Sequence, residues 1–176
     1  MDIEVEVKTF ITKEKYGELM AFFKQNAALL KEDYQETQYF DCDADVRLQL
    51  TNDKAKIKMK EGDIHGETRP EWEIPVDKEH FQTLELLFNK LGINNTIIWF
   101  RNRTIFQWGD IEAFVDYNKG YGYILELEKK ATEENKEETL QLLKQKLSEF
   151  NIPITPLEEW ERKYAHYAEN WRELTK

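Results

Sequence analysis

Near the amino terminus, Glu4-Val5-Glu6-Val7-Lys8 places two carboxylates and an ammonium at alternate positions. Period-two alternation is that of a β-strand, so Glu4, Glu6 and Lys8 line one face, roughly 7 Å apart, with the valines opposite. Carboxylates so spaced suit a hydrated Mg²⁺ or Mn²⁺, which takes one or two carboxylates together with substrate phosphates. A neighbouring lysine takes a phosphate oxygen as a point charge. Glu4, Glu6 and Lys8 are therefore the candidate catalytic set. For five residues taken alone, a solvated edge strand is the plain alternative. The same alternation recurs down the chain, however. Lys56, Lys58 and Lys60 oppose Ala55, Ile57 and Met59; Arg69, Glu71 and Glu73 oppose Trp72 and Ile74; Glu112 and Asp116 oppose Ala113 and Val115; Glu126 and Glu128 oppose Leu125 and Leu127.

The elements that must position these residues follow from periodicity and punctuation. Thr12 is set to cap a helix running to about Leu30, with Tyr16, Leu19, Met20, Phe22, Phe23 and Ala27 as its apolar stripe. Short strands are expected over 38–42, 46–50, 55–61, 69–76, 96–103, 104–108, 111–117 and 121–129. A second helix follows Asp77 and stops at Gly92. A third starts near Glu133. Thr155-Pro156-Leu157-Glu158 has the form of an N-cap, a first-turn proline and a capping-box acid, opening a fourth helix.

Charge is segregated by strand, lysines on one and glutamates on another, where solubility alone would intersperse the signs. The opposite strand faces are apolar enough to need helices on them. A barrel turned inside out satisfies both, with charges in the lumen, helices outside and no edge strands left. Rows of acids and bases together suit a polyphosphate with divalent metal. The expected fold class is thus α+β, a closed or nearly closed eight-stranded antiparallel β-tunnel with a charged lumen and amphipathic helices outside.

The chain has 176 residues, which suits one domain over 1–176, read as a monomer or homodimer. A net charge of −10 argues against nucleic-acid and anionic-membrane partners, which require a basic face. Cys42 is the single cysteine, so no internal disulfide forms. With no signal peptide and no apolar run near the roughly 18 residues a spanning helix needs, a cytoplasmic protein is expected. His65, His80 and His166 share no metal-ligand spacing.

Together these motifs resemble the CYTH superfamily, the triphosphate tunnel metalloenzymes. Glu4-x-Glu6-x-Lys8 is similar to its E-x-E-x-K signature. Arg47 begins an R-x-R strand with Gln49 in the second place, and Lys60 precedes a glycine turn. Arg69-x-Glu71-x-Glu73 resembles R-x-E-x-E, and Arg101-x-Arg103 the K-x-R pair. Asp116, Gly120-x-Gly122 and Glu126-x-Glu128 follow in the family's order. The resemblance implies an eight-stranded tunnel that binds a triphosphate with Mg²⁺ or Mn²⁺. It implies metal ligation by Glu4, Glu6, Asp116, Glu126 and Glu128. Phosphate binding would fall to Lys8, Arg47, Lys58, Lys60, Arg69, Arg101 and Arg103, with Glu71 and Glu73 in support. Family members include thiamine and inorganic triphosphatases and class IV adenylyl cyclases. Metal-dependent hydrolysis of a small-molecule triphosphate is the reaction expected here. Cyclisation of ATP to cyclic AMP is the alternative, and a non-catalytic polyphosphate or nucleotide binder the second alternative.

Overall fold

The computed structural model describes residues 3–60 and 71–176, Lys60 and Glu71 by their backbones alone. Arg69, His65 and the expected glycine turn lie outside the described residues. Eight strands form one antiparallel sheet in the order β1-β8-β7-β6-β2-β3-β4-β5. In chain order they are β1 (Ile3–Ile11), β2 (Ala28–Phe40), β3 (Asp45–Leu50), β4 (Ala55–Lys60), β5 (Glu71–Val76), β6 (Asn95–Trp108), β7 (Ile111–Asn118) and β8 (Gly122–Ala131). Four α-helices accompany them: α1 (Lys13–Asn26), α2 (Phe81–Lys90), α3 (Lys136–Glu149) and α4 (Leu157–Leu174). The expected α+β class and eight antiparallel strands are present, and no ladder joins β1 to β5 among the described residues. No described helix is long and apolar enough to cross a membrane.

The chain divides into two compact units, Met1–Glu32 with Asn102–Glu169, and Asp33–Arg101 with Asn170–Lys176. In the first, alternation sends Val7, Ala113, Val115, Leu125 and Leu127 to one sheet face. There they meet Leu19 and Phe23 of α1 and Leu143 and Leu147 of α3. Phe23 stacks on Phe106 with ring centroids 5.5 Å apart. In the second, Phe40, Leu48 and Ala55 pack with Phe81, Leu84 and Phe88 at α2. Burying apolar side chains stabilises by about 1.5–3 kcal/mol each. Period-two strands therefore commit their other face, the charged one, to the opposite side.

Several boundaries depart from expectation. Helix α1 ends at Asn26, because Ala27 turns extended (φ −141°) while its amide still bonds the Phe23 carbonyl. The chain then enters a 13-residue strand, ten residues before the expected start at Gln38. The two strands expected over 96–108 are one, β6, of 14 residues. Asp77 offers no side-chain cap, and a 3₁₀ turn, Lys78–His80, precedes α2. The Thr155 hydroxyl accepts from Phe10 N at 2.9 Å and pairs with Thr9 Oγ1 at 2.8 Å, which ties the approach to α4 onto β1. Trp72 has the apolar parity but is exposed on β5 rather than packed under a helix.

Candidate functional site

Facing residues in an antiparallel ladder share a sheet face. In the first unit the register sets Glu6 opposite Glu128 and Glu128 opposite Glu112, a lateral row of three carboxylates across β1, β8 and β7. The next row is Lys8, Glu126 and Phe114; the one after, Phe10, Ile124 and Asp116. Carboxylate oxygens of Glu6, Glu126 and Glu128 lie within 4.8 Å of one another. Lys8 Nζ is 3.4 Å from Glu6 Oε1. Burial, and then the charges of Glu4, Glu126, Glu112 and Glu6, push the Glu128 carboxyl up to about 7. Such crowding is relieved by a proton or a cation. An all-oxygen donor set of three carboxylates fits Mg²⁺ or Mn²⁺ rather than a softer metal.

Arg103, from β6, holds the back of this cluster. Its Nε donates to Asp116 Oδ1 at 2.9 Å, and its Nη2 to Asp116 Oδ2 at 2.7 Å and Glu126 Oε2 at 3.2 Å. The guanidinium lies over the Phe114 ring, 4.6 Å from its centroid. Burial pulls the Arg103 pKa down, but Asp116 and Glu126 outweigh it and the group is held more firmly cationic than usual. Asp116 is itself fully buried. Its carboxylate is therefore engaged by Arg103, outside the close trio. Glu4 shares the face one row further out, opposite Lys130, and is also outside the trio.

The second unit carries Arg47, Lys58, Lys60 and Arg101. Arg47 faces Lys58, and Lys58 faces Glu73; Lys60 faces Asp45 and Glu71 in the backbone register. Arg47 is held bidentately by Asp45, at 2.8 and 2.6 Å, and lies over Tyr39. Lys56 and Lys58 both reach Glu73 Oε2, at 2.8 and 3.4 Å. Burial, with Lys58 and Lys54 nearby, lowers the Lys56 pKa in spite of Glu73. For Glu73 burial acts upward, and the two lysines outweigh it to bring the carboxyl down. Gln49 is buried and donates to Thr37 Oγ1 at 3.0 Å, so the residue in the second R-x-R place serves strand packing. Arg101 donates twice to Gln35 Oε1, at 3.0 and 2.5 Å.

Three participants escaped the sequence reading. Glu112 has the right parity on β7, and only the register shows that it completes a carboxylate row. Asp45, the partner of Arg47, lies one residue before the strand expected over 46–50, and Gln35, the partner of Arg101, sits in a run without regular alternation.

The CYTH domain family model matches residues 2–163. A Methanocaldococcus jannaschii protein named "putative adenylate cyclase" is 30% identical over 164 residues, covering 85% of this chain and 90% of that protein. A solved structure from Pyrococcus horikoshii superposes with a TM-score of 0.66 at 21% identity, over 86% of this chain and 92% of that one. A solved Bacillus halodurans protein, also titled "putative adenylate cyclase", gives a TM-score of 0.61 at 17% identity, over 88% and 92%. The two structures carry the likeness of fold.

Proposed function

The chain belongs to the CYTH domain family, and from that membership we propose that it is a divalent-metal-dependent triphosphatase. The observation that carries the proposal is the Glu6–Glu126–Glu128 trio, with Lys8 and Arg103 bonded to two of its members. Glu6, Glu126 and Glu128 would hold Mg²⁺ or Mn²⁺, with Glu4 one row out. That ion supplies Lewis-acid polarisation of phosphoryl oxygens and a water of lowered pKa. Lys8 takes a phosphate oxygen. Arg103, oriented by Asp116, fixes the Glu126 carboxylate and offsets the negative charge of the cluster. Glu128 would bind the ion as the carboxylate, giving up the proton that crowding favours in the metal-free site. Arg47, Lys58, Lys60 and Arg101 of the second unit are proposed phosphate ligands, with Glu71 and Glu73 supporting them. For Arg47 and Arg101 this requires exchange of part of an existing side-chain contact for a phosphate oxygen. The family match runs through both units, which supports reading residues 1–176 as one functional domain.

The name of the Methanocaldococcus relative favours a second reading, ATP cyclisation. There the ribose 3′-hydroxyl attacks the α-phosphorus and pyrophosphate leaves. Product analysis separates the two. ATP with Mg²⁺ or Mn²⁺ gives ADP and orthophosphate if the protein hydrolyses, and cyclic AMP and pyrophosphate if it cyclises. Tripolyphosphate and thiamine triphosphate are assayed alongside, with and without metal. Tight binding without turnover of any of them would overturn both readings.

A further inference from the structure

The charged face of β7 carries two carboxylates, Glu112 and Asp116, about 13 Å apart along an extended strand. Their surroundings differ. Asp116 is 1% exposed, and Arg103 holds both of its oxygens, at 2.9 and 2.7 Å. Phe114 lies between the two acids on the same face, buried, with the Arg103 guanidinium over its ring. Glu112 stands on the other side of that ring from Asp116. It is half-buried, and no basic side chain or hydrogen-bond donor engages it among the described residues. The register sets it opposite Glu128, which has Glu6 on its other side.

Directly opposed side chains of an antiparallel pair have Cβ atoms about 4.5–5.5 Å apart, and like charges so placed repel. Two acids of these rows have a cation of their own: Lys8 lies 3.4 Å from Glu6, and Arg103 lies 3.2 Å from Glu126. Glu128 and Glu112 have none among the described residues. A bound cation would relieve both. The oxygens of Glu112 fall outside the trio that lies within 4.8 Å, so Glu112 is not placed to ligate the same ion directly. Mg²⁺ dehydrates reluctantly and keeps several waters when carboxylates bind it. Those waters donate hydrogen bonds, and a free carboxylate beside Glu128 is placed to accept them. We infer that Glu112 is a positioning residue of the metal site, accepting hydrogen bonds from water on an ion held by Glu6, Glu126 and Glu128. This role rests on the divalent-metal reading of the trio.

Binding of Mn²⁺ to the whole chain, read from loss of the free ion's electron paramagnetic resonance signal, tests it without turnover. Glu112→Gln keeps the shape and removes the charge; it should weaken Mn²⁺ binding roughly tenfold, as loss of an outer partner of a metal site does. Glu112→Asp keeps the charge at shorter reach and should recover most of that loss. Glu126→Gln, which removes a ligand, should weaken binding further still. Glu137→Gln, on the exposed side of α3, should leave it unchanged. Melting in EDTA separates positioning from structure: with a repelling neighbour of Glu128 gone, Glu112→Gln should melt no lower than the unmodified protein. Unchanged Mn²⁺ affinity in Glu112→Gln, with Glu126→Gln impaired, overturns the role of Glu112 and leaves the trio standing. Weaker binding together with lower melting in EDTA also overturns it, since Glu112 would then be structural. An unmodified protein that binds no Mn²⁺ overturns both.

Discussion

Arg103 grips Asp116 bidentately with the Nε–Nη2 edge of its guanidinium, at 2.9 and 2.7 Å, and the pair is largely buried. Removing one member of a buried ion pair leaves a charge without compensation, a loss of about 3–5 kcal/mol. Asp116→Asn keeps the shape and removes the charge, and Glu126 remains as a weaker partner. We expect a loss near the lower end, about 3 kcal/mol, in urea denaturation. Metal affinity should fall as well, because Arg103 would then lean on Glu126. A variant with unchanged midpoint and slope would show that the pair contributes nothing.

Crowded carboxylates make the opposite prediction at Glu128. In metal-free protein, Glu128→Gln and Glu6→Gln remove like-charge repulsion and should raise stability. Solvent screening limits the gain to about 1 kcal/mol or less. The same variants should lose the stabilisation that added Mg²⁺ or Mn²⁺ gives the unmodified protein. Melting curves with EDTA and with metal measure both; lowered melting in EDTA for both variants would make these acids structural.

The pH dependence has a fixed sign. The Glu128 carboxyl is raised from 4.5 to about 7 on folding, so its contribution favours the folded state below pH 4.5 and is lost as pH rises through 7. Metal-free protein should thus lose this increment between about pH 4.5 and 7, and Glu128→Gln should show a flatter profile. Because the metal displaces that proton, its affinity should rise over the same window. Parallel profiles for the two proteins in EDTA would contradict the assignment.

Thr9 is a structural counterpart to these site residues. Its hydroxyl donates to the Pro153 carbonyl at 2.7 Å and accepts from Thr155 N at 3.0 Å, and the Thr155 hydroxyl in turn accepts from Phe10 N. Thr9→Val should take their partner from the part-buried Pro153 carbonyl and Thr155 amide, a loss of about 1–3 kcal/mol. Metal binding at Glu6, Glu126 and Glu128 should be unaffected. A midpoint shift under a few tenths of a kcal/mol would remove this role.

Strands whose two faces differ sharply were legible before any coordinates. In β1, β4, β7 and β8 an apolar residue alternates with a charged one, and the register then aligns Glu6 with Glu128 and Arg47 with Lys58. The run from Ala28 to Thr37 has no such period: Leu29 and Leu30 are adjacent and both exposed, so the expected helix runs on to about Leu30 and no strand is marked before Gln38. Thr155 carries the local signal of a helix cap, yet the Phe10 amide, 145 residues away in sequence, takes its hydroxyl. Parity on β6 puts Arg103 on the charged face, but parity cannot name its partner, and the contact with Asp116 is read from the structure alone. Long-range pairing decides these cases, and it is absent from local pattern.

Orthophosphate release from tripolyphosphate, with Mg²⁺ or Mn²⁺ and with EDTA, in the unmodified protein and in Glu126→Gln, tests the central claim most directly. The account predicts turnover that requires metal, falls on the order of a hundredfold or more in the variant, and is far slower with pyrophosphate, which lacks a phosphate for the basic side chains to hold. Turnover that persists in EDTA, or a variant as active as the unmodified protein, would contradict it.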